Sequence, residues 1–495
     1  MEVELKLLID ASDIGKLLKD PLLKPAAKTR SRQIQLENIY FDTAERELQA
    51  ARIGLRLRRI GNQWLQTIKG GGQVIGGLHA RPELEYPVSS RVLDFEPAAD
   101  SPWAAWFDVD RVSRLAPVFA TNFHRTVRLL RPAEDVEIEL ALDQGEIVVA
   151  DKSEPLCEIE LELKRGPVSA LFDLALALAE RFHIQIENAS KAERGYRLAY
   201  GESVTPPQKW ALPMIDDTMP LFGAVQALAD SLFGHFQQNE RGFLTHPDDL
   251  EYLHQMRVAL RRLRVLLGTF RDVLPDPATV QHLNGELRWL GGLLGEARDW
   301  DVLLNETLPP LLQNIGPHPA RSRLHARLVA CGYSAHDEAR LALTSRRYQL
   351  CLLTWGRYFT ALAHHVASTT FGEALVPLLQ RQSKRLQKAL QAAAEVDEAL
   401  HQSRIQAKKL RYLGEFSETT FAGRRYERYA DWLARLQTEL GRSNDHRVAI
   451  ARLAGVMGHI RKTDEAELIG MLRGWLMASQ LAPQDIDRLP PKPYW

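Results

Sequence analysis

The sequence predicts a chain in two unlike parts: an antiparallel β-barrel followed by a bundle of helices. Three observations lead there. Between residues 1 and 200, short runs alternate polar and apolar side chains at period two. After a proline-rich stretch the apolar residues recur at helical spacing, and they do so to about residue 480. Within that helical part, two blocks of sequence recur at nearly one offset. At 495 residues the chain also exceeds a single ordinary core.

The strands read as 2–9, 54–60, 64–70, 83–88, 125–131, 136–143, 146–151 and 157–166, with a hairpin turn expected at Asp143-Gln144-Gly145 and one helix over 168–182. About eight strands at short intervals suggest an antiparallel barrel or sandwich. Residues 202–220 hold four prolines in a polar setting and read as a linker. The expected division is a barrel domain over 1–203, a linker over 204–220 and a helical domain over 221–485, in halves of about 221–370 and 371–485. The halves follow from the repeat. HQMRVALRRLRVL (254–266) aligns without gaps to HQSRIQAKKLRYL (401–413), and LGEARDWDVL (294–303) aligns to LGRSNDHRVA (440–449).

Composition fits a soluble globular protein, 45% hydrophobic and 25% charged. The net charge of zero hides a split. There are 27 Lys/Arg against 32 Asp/Glu in residues 1–205, and 36 against 31 after them. Cys157, Cys331 and Cys351 lack metal-ligand spacing and suit a reducing compartment. The opening MEVELKLLID has no basic segment followed by an apolar run, and no stretch reaches the roughly 18 apolar residues of a membrane span. A cytoplasmic protein without membrane or nucleic-acid partners is expected.

One face of strand after strand is all charge. Glu2, Glu4 and Lys6 share a face, as do Arg56 and Arg58, Glu83 and Glu85, Glu137, Glu139 and Asp143, and Glu158, Glu160, Glu162 and Lys164. A solvated outer face gives this pattern on one strand; five strands with mixed signs point to a polar lumen. Carboxylates two residues apart on a strand sit about 6.5–7 Å apart and favour a cation beside them. Hard oxygen donors suit Mg²⁺ or Mn²⁺. Arg56, Arg58, Lys69, Arg125, Arg128 and Lys191 form a basic set fit for phosphate oxygens, which arginine forks match in pairs.

EVELK, NIYFDT (38–43), GLRLR (54–58), TIK (67–69), ALDQGEI (141–147), EIELELK (158–164) and SKAERGY (190–196), in that order, resemble the CYTH family of triphosphate tunnel metalloenzymes. The resemblance covers residues 1–200. It implies an eight-stranded antiparallel barrel open as a tunnel and metal-dependent action on a triphosphate. It also implies Glu2, Glu4, Glu160 and Glu162 as metal ligands, with Glu158 able to replace one of them. Lys6, Arg56, Arg58, Lys69, Arg125 and Lys191 would bind phosphate, and Glu85, Glu139 and Asp143 would be supporting tunnel carboxylates. With Lys6, the four metal-ligand carboxylates make up the expected catalytic set.

In the helical part, His254, Arg257, Arg261 and Arg264 form one helix stripe, repeated as His401, Arg404, Lys408 and Arg411. Arg298-Asp299 and Asn444-Asp445 accompany the two copies. Arg381, Lys384, Arg385 and Lys388 offer an extension. A single basic stripe is usually a solvated face; two matching copies favour a binding groove. These blocks resemble the CHAD domain, an all-helical module associated with polyphosphate. The resemblance covers about 215–480 and implies a basic groove for a linear polyanion.

The combined expectation is an inorganic triphosphatase using Mg²⁺ or Mn²⁺, with a helical domain that binds long-chain polyphosphate and a location that extends to polyphosphate granules. The alternatives are a non-catalytic polyphosphate scaffold, or an enzyme for thiamine or nucleoside triphosphate. The last needs an apolar platform at the tunnel mouth, for which Trp64 is the candidate.

Overall fold

The computed structural model describes residues 2–24, 31–201, 205–392, 397–479 and 490–495. They cluster into two units: residues 1–205 with 344–361, and 206–343 with 362–495.

The first unit is a curled antiparallel sheet. Its strands are β1 (Glu2–Ile9), β2 (Arg32–Asp42), β3 (Ile53–Ile60), β4 (Gln63–Gly70), β5 (Gln73–Ile75), β6 (Leu78–Arg81), β7 (Glu83–Val88), β8 (Ala116–Ala133), β9 (Val136–Val149), β10 (Lys152–Arg165) and β11 (Ile184–Ile186). Hydrogen bonding runs in the order β5-β6-β1-β10-β9-β8-β2-β3-β4-β7, with β11 also on β1. The strand count is eleven where eight were expected. Three of the additional strands are runs of three or four residues, too short to show a period. β6 and β7 are separated by Pro82 alone; β6 pairs with β1 and β7 with β4. Proline cannot donate to a ladder, so it marks the point where the chain leaves one neighbour for the next. The circuit from β1 round to β4 is thus completed by the covalent chain at Pro82.

The expected turn at Asp143-Gln144-Gly145 is absent. β9 runs unbroken through it, and the turn falls at Ala150–Asp151, where Ala150 takes φ 49°. Gly145 serves another need: a Cβ there would collide with the Asn122 carbonyl and with Phe123 on β8.

The sheet is charged inside and apolar outside. Leu5, Leu7, Ile138, Leu140, Ile159 and Leu161 point outward and are buried beneath α1 (Ser169–Ala179), with Leu171, Phe172 and Leu178 as its contribution. Leu353, from the helix Arg346–Leu362, is fully buried in the same cluster. Gly356 lets that helix approach Phe172, where a Cβ would not fit. Arg346 donates to the Ala179 and Glu180 carbonyls at the end of α1 (2.9 and 2.6 Å), and Gln349 Oε1 accepts from Ile186 N of β11 (2.9 Å). On the other side Leu55, Leu57, Ile68 and Trp103 form a second outer cluster, and Trp64 packs against it. Inside the curl lies α2 (Lys191–Tyr200), begun by a capping box between Ser190 and Glu193. Its Tyr196 stacks edge-on to Phe119 and donates to Asp42 Oδ2 at 2.8 Å. Gly195 sits where a Cβ would collide with the Phe119 ring.

The second unit is helical. The aligned sequence blocks fall on α3 (Leu250–Phe270) and the later part of α4 (Pro277–Val302), then on α5 (Asp397–Phe416) and the middle of α6 (Arg424–Met457). Leucines at helical spacing, such as Leu253, Leu260, Leu263 and Leu267, supply its core. No helix of the described residues is long and apolar enough to cross a membrane.

Leu353→Ala should destabilise the first unit by about 2–5 kcal/mol, as deletion of a buried leucine side chain does. Denaturant unfolding followed by a signal from the β-sheet measures it.

Candidate functional site

The lumen is built by register. β1 places Glu4 opposite Glu162 and Lys6 opposite Glu160 on β10. β9 places Asp143 opposite Glu158 on β10 and Arg125 on β8. α2 then lowers Lys191 and Arg194 onto these groups. Lys191 Nζ lies 2.5 Å from Glu158, 2.7 Å from Asp143 and 2.9 Å from Glu160. Arg125 grips Asp143 with two bonds of 2.7 Å and reaches Glu160 at 2.5 Å. Lys6 contacts Glu160 and sits 3.1 Å from Glu4. Arg194 approaches Glu158 at 3.3 Å.

Burial opposes charge on Lys6, Arg125, Asp143, Glu160 and Lys191, yet the pairings outweigh it. Lys191 is held above the ordinary lysine value by Asp143, Glu158 and Glu160, and Lys6 by Glu160 and Glu4. Glu160 is held well below the carboxylate range by Lys191, Lys6 and Arg125, and Asp143 below it by Arg125 and Lys191.

A second group lies along β3, β4 and β7. Lys69 contacts Glu2 and stands 3.3 Å from Glu83 and 3.5 Å from Glu4. Arg56 lies 3.5 Å from Glu83, and Arg58 lies 3.5 Å from Glu85 with its Nε on Asn38 at 2.9 Å. Burial, with Arg56 and Arg125 nearby, pushes Arg58 down to about 10. Glu162 pairs with Lys164 at 2.6 Å; burial, Glu2 and Glu139 raise its pKa.

Lys6, Arg56, Arg58, Lys69, Arg125 and Lys191 therefore share one lumen with Glu2, Glu4, Glu160 and Glu162. Among the described residues, Asp143, Glu158 and Glu160 form a carboxylate group whose ligand atoms all lie within 4.8 Å of one another. Of these, Glu160 was in the metal set read from the sequence, Glu158 was named as a replacement for one of its members, and Asp143 was placed among the supporting carboxylates. Arg128 faces outward and donates to Ser31 and the Leu23 carbonyl, because it is three residues, not two, from Arg125. Trp64 is likewise outside, opposite Arg59 and Val88.

His79 was missed. It lies opposite Glu4 on the four-residue β6, and the glycine-rich GGLHA around it reads as loop. Its Nε2 donates to the Glu187 carbonyl at 3.3 Å, which leaves Nδ1 unprotonated and without a partner among the described residues. Burial, Lys6 and Arg81 push its pKa down to about 2, so the ring is neutral.

These residues fit a divalent cation. All the donors are carboxylates, the hard ligands such an ion takes. Cations and carboxylates pair off throughout the lumen, so a polyanion that claimed the basic groups would release carboxylates, and divalent ions held by them would balance the added charge.

In the helical unit, Arg257 Nη1 donates to the Leu294 and Gly295 carbonyls (3.2 and 2.5 Å) and stands 3.6 Å from Asp299. Arg262 of α3 and Glu415 of α5 pair at 2.8 Å, joining the two helices that carry the stripes. Burial pushes Arg257 down to about 10 and Lys408 down to about 6; Arg261 and Arg404 add to both shifts. Such mutual influence places Arg257, Arg261, Arg404 and Lys408 in one cluster. His254, lowered by burial and the neighbouring arginines, borders it. His401 accepts from Arg447 at 2.7 Å, and Arg411 holds Glu415 at 3.0 Å. Arg264 neighbours Arg288, and burial lowers its pKa.

The family model of the CYTH domain matches residues 1–196, and that of the CHAD domain matches 227–454. The crystal structure of the CHAD domain from the plant Ricinus communis superposes with a TM-score of 0.50 at 31% identity, over 57% of this chain and 93% of that one. The chain therefore carries a CYTH domain over residues 1–196 and a CHAD domain over residues 227–454. An inorganic triphosphatase of Haemophilus influenzae is 34% identical over 206 residues, 41% of this chain; the match spans 56% of that protein. An uncharacterized protein of Mycobacterium tuberculosis is 28% identical over 412 residues, 76% of this chain and 75% of its own.

Lys191→Met should cost about 3–5 kcal/mol of stability, because it leaves Asp143 and Glu158 as buried charges short of a partner. Thermal unfolding at constant pH checks this.

Proposed function

We propose that the CYTH lumen hydrolyses inorganic triphosphate to diphosphate and phosphate, and that the CHAD groove binds long-chain polyphosphate. One observation carries the first reading: six basic side chains from β1, β3, β4, β8 and α2 converge in a single lumen lined with carboxylates. Arg56, Arg58 and Lys69 clamp one stretch of the substrate, and Lys6, Arg125 and Lys191 another. Each gives up a carboxylate to do so. Glu2, Glu4, Glu160 and Glu162 would hold Mg²⁺ or Mn²⁺, with Glu158 and Asp143 beside them. When bound, the ions neutralise charge developing on the phosphate oxygens and lower the pKa of water. The protein's own part is to fix the chain in line for attack on a terminal phosphorus and to exclude bulk water. The H. influenzae relative supports this reading. The outward position of Trp64 supports an inorganic substrate, since it removes the apolar platform an organic moiety would use.

For the groove, the buried Nε atoms of Arg261, Arg264 and Arg404 have no hydrogen-bond partner among the described residues. Unmet donors in a cationic cleft suit phosphate oxygens.

The first test is phosphate release from tripolyphosphate, ATP, thiamine triphosphate and long-chain polyphosphate with Mg²⁺, Mn²⁺ or EDTA. EDTA-sensitive release from tripolyphosphate is expected; release from none of them would refute hydrolysis. Glu4→Gln should lower turnover at least roughly 100-fold with the fold intact, and unchanged turnover would remove Glu4 from the metal set.

Lys408 gives the groove a pH dependence. Its free pKa of about 6 rises when a polyanion binds. Above pH 6, binding therefore takes up a proton, and affinity falls as pH rises to 8, by at most about tenfold per pH unit. Lys408→Arg, whose charge does not titrate in this range, should flatten that profile in calorimetric titrations.

A further inference from the structure

The groove holds two aspartates that polyanion binding alone does not explain. Asp299 and Asp445 stand in aligned positions of the repeat, on α4 and α6, 146 residues apart. In the folded protein both line one small cleft, with Val302, Leu303 and Thr307. Asp299 lies 3.6 Å from Arg257 of the first stripe and 3.5 Å from Arg452 of α6. Arg404 and Lys408 of the second stripe feel the attraction of Asp445, and Arg404 that of Asp299 as well.

Charges from four helices surround the pair. α3 brings Arg257, Arg261 and His254. α4 brings Arg298 and Glu296, and α5 brings Arg404 and Lys408. α6 brings Arg452, which grips Glu296 at 2.6 Å. A site evolved only to attract anions gains nothing from carboxylates at its centre, since each repels an arriving phosphate.

We propose that Asp299 and Asp445 are internal competitors for the groove arginines, displaced when polyphosphate binds, so that they hold its affinity down. The inference rests on the reading of this groove as a polyphosphate site. Its physical basis is effective concentration. A tethered carboxylate close to a guanidinium outcompetes a free phosphate at modest concentration, whereas a long chain that meets many cations at once, and releases their counterions, overcomes it. The repeat places one aspartate against each stripe, Asp299 within 3.6 Å of Arg257 and Asp445 within electrostatic reach of Arg404 and Lys408. A role in holding the arginines in place predicts the opposite sign: removing the carboxylate would then weaken binding.

The experiment is titration of the full-length chain with long-chain polyphosphate at fixed pH and salt. Wild type, Asp299→Asn, Asp445→Asn and the double variant are compared, with melting temperature as the check on folding. Glu467→Gln serves as control; it removes an exposed carboxylate from the helix Thr463–Ala478, which carries none of the groove residues. Each single variant should bind about two- to fivefold more tightly, the size of a partly exposed ion pair. The double variant should exceed either, and the control should match wild type. Equal or weaker binding in both aspartate variants, alongside a wild type that binds, overturns this inference alone. Equal tightening in the control overturns it too, because the gain is then general charge. A wild type that does not bind, or whose binding survives Arg257→Glu with Arg404→Glu, overturns the groove reading and this inference with it.

Discussion

Charge buried inside a protein has to be paired, and the CYTH unit is organised by that requirement. Lys191 touches three carboxylates at once, and Arg125 and Lys6 close the same network from neighbouring strands. Removing a member leaves its partners short of compensating charge away from water, which costs several kcal/mol. The strands must therefore keep their register, because a slip of one residue would exchange the charged face for the leucine face. The outer surface follows: with polar groups turned inward, the sheet has to bury Leu5, Leu140 and Leu161 beneath helices instead of around its axis.

The same network explains how an interior this polar can exist without ligand and still receive one. On the proposed reading its carboxylates stand in for phosphate oxygens, so that binding would exchange one set of partners for another. The interior is already arranged for anions before one arrives, which reduces the reorganisation left for the moment of reaction.

Much of this was legible in the sequence, because strand geometry turns parity into direction. Arg56 with Arg58, and Glu158 with Glu160 and Glu162, share faces on that rule, and the lumen bears it out for each. Arg128 and Trp64 fail it, one by an odd step from Arg125 and the other by an odd step from Lys69. Gly145 was legible as special but not as to why: a glycine needed by a neighbouring strand resembles a glycine needed by a turn. Depth was not legible. Asp143 and Glu158 reach zero exposure through cross-strand register and the placement of α2, neither of which a local pattern encodes. His79 was hidden because a four-residue strand shows no period. In the helical unit the repeat gave the stripes, while their meeting, with Asp299 and Asp445 between them, depends on contacts across some 150 residues.

The helix Arg346–Leu362 has a consequence for how the gene can be divided. Its sequence lies within the CHAD match, yet its residues 346–361 belong to the N-terminal unit. A boundary drawn from family matching and one drawn from folding therefore fall in different places. A fragment cut near residue 205 loses Leu353 from its interior, the guanidinium that finishes α1 and the amide that holds β11. An exchange of either module between relatives would have to keep this helix with the N-terminal unit for Leu353, Arg346 and Gln349 to stay in place.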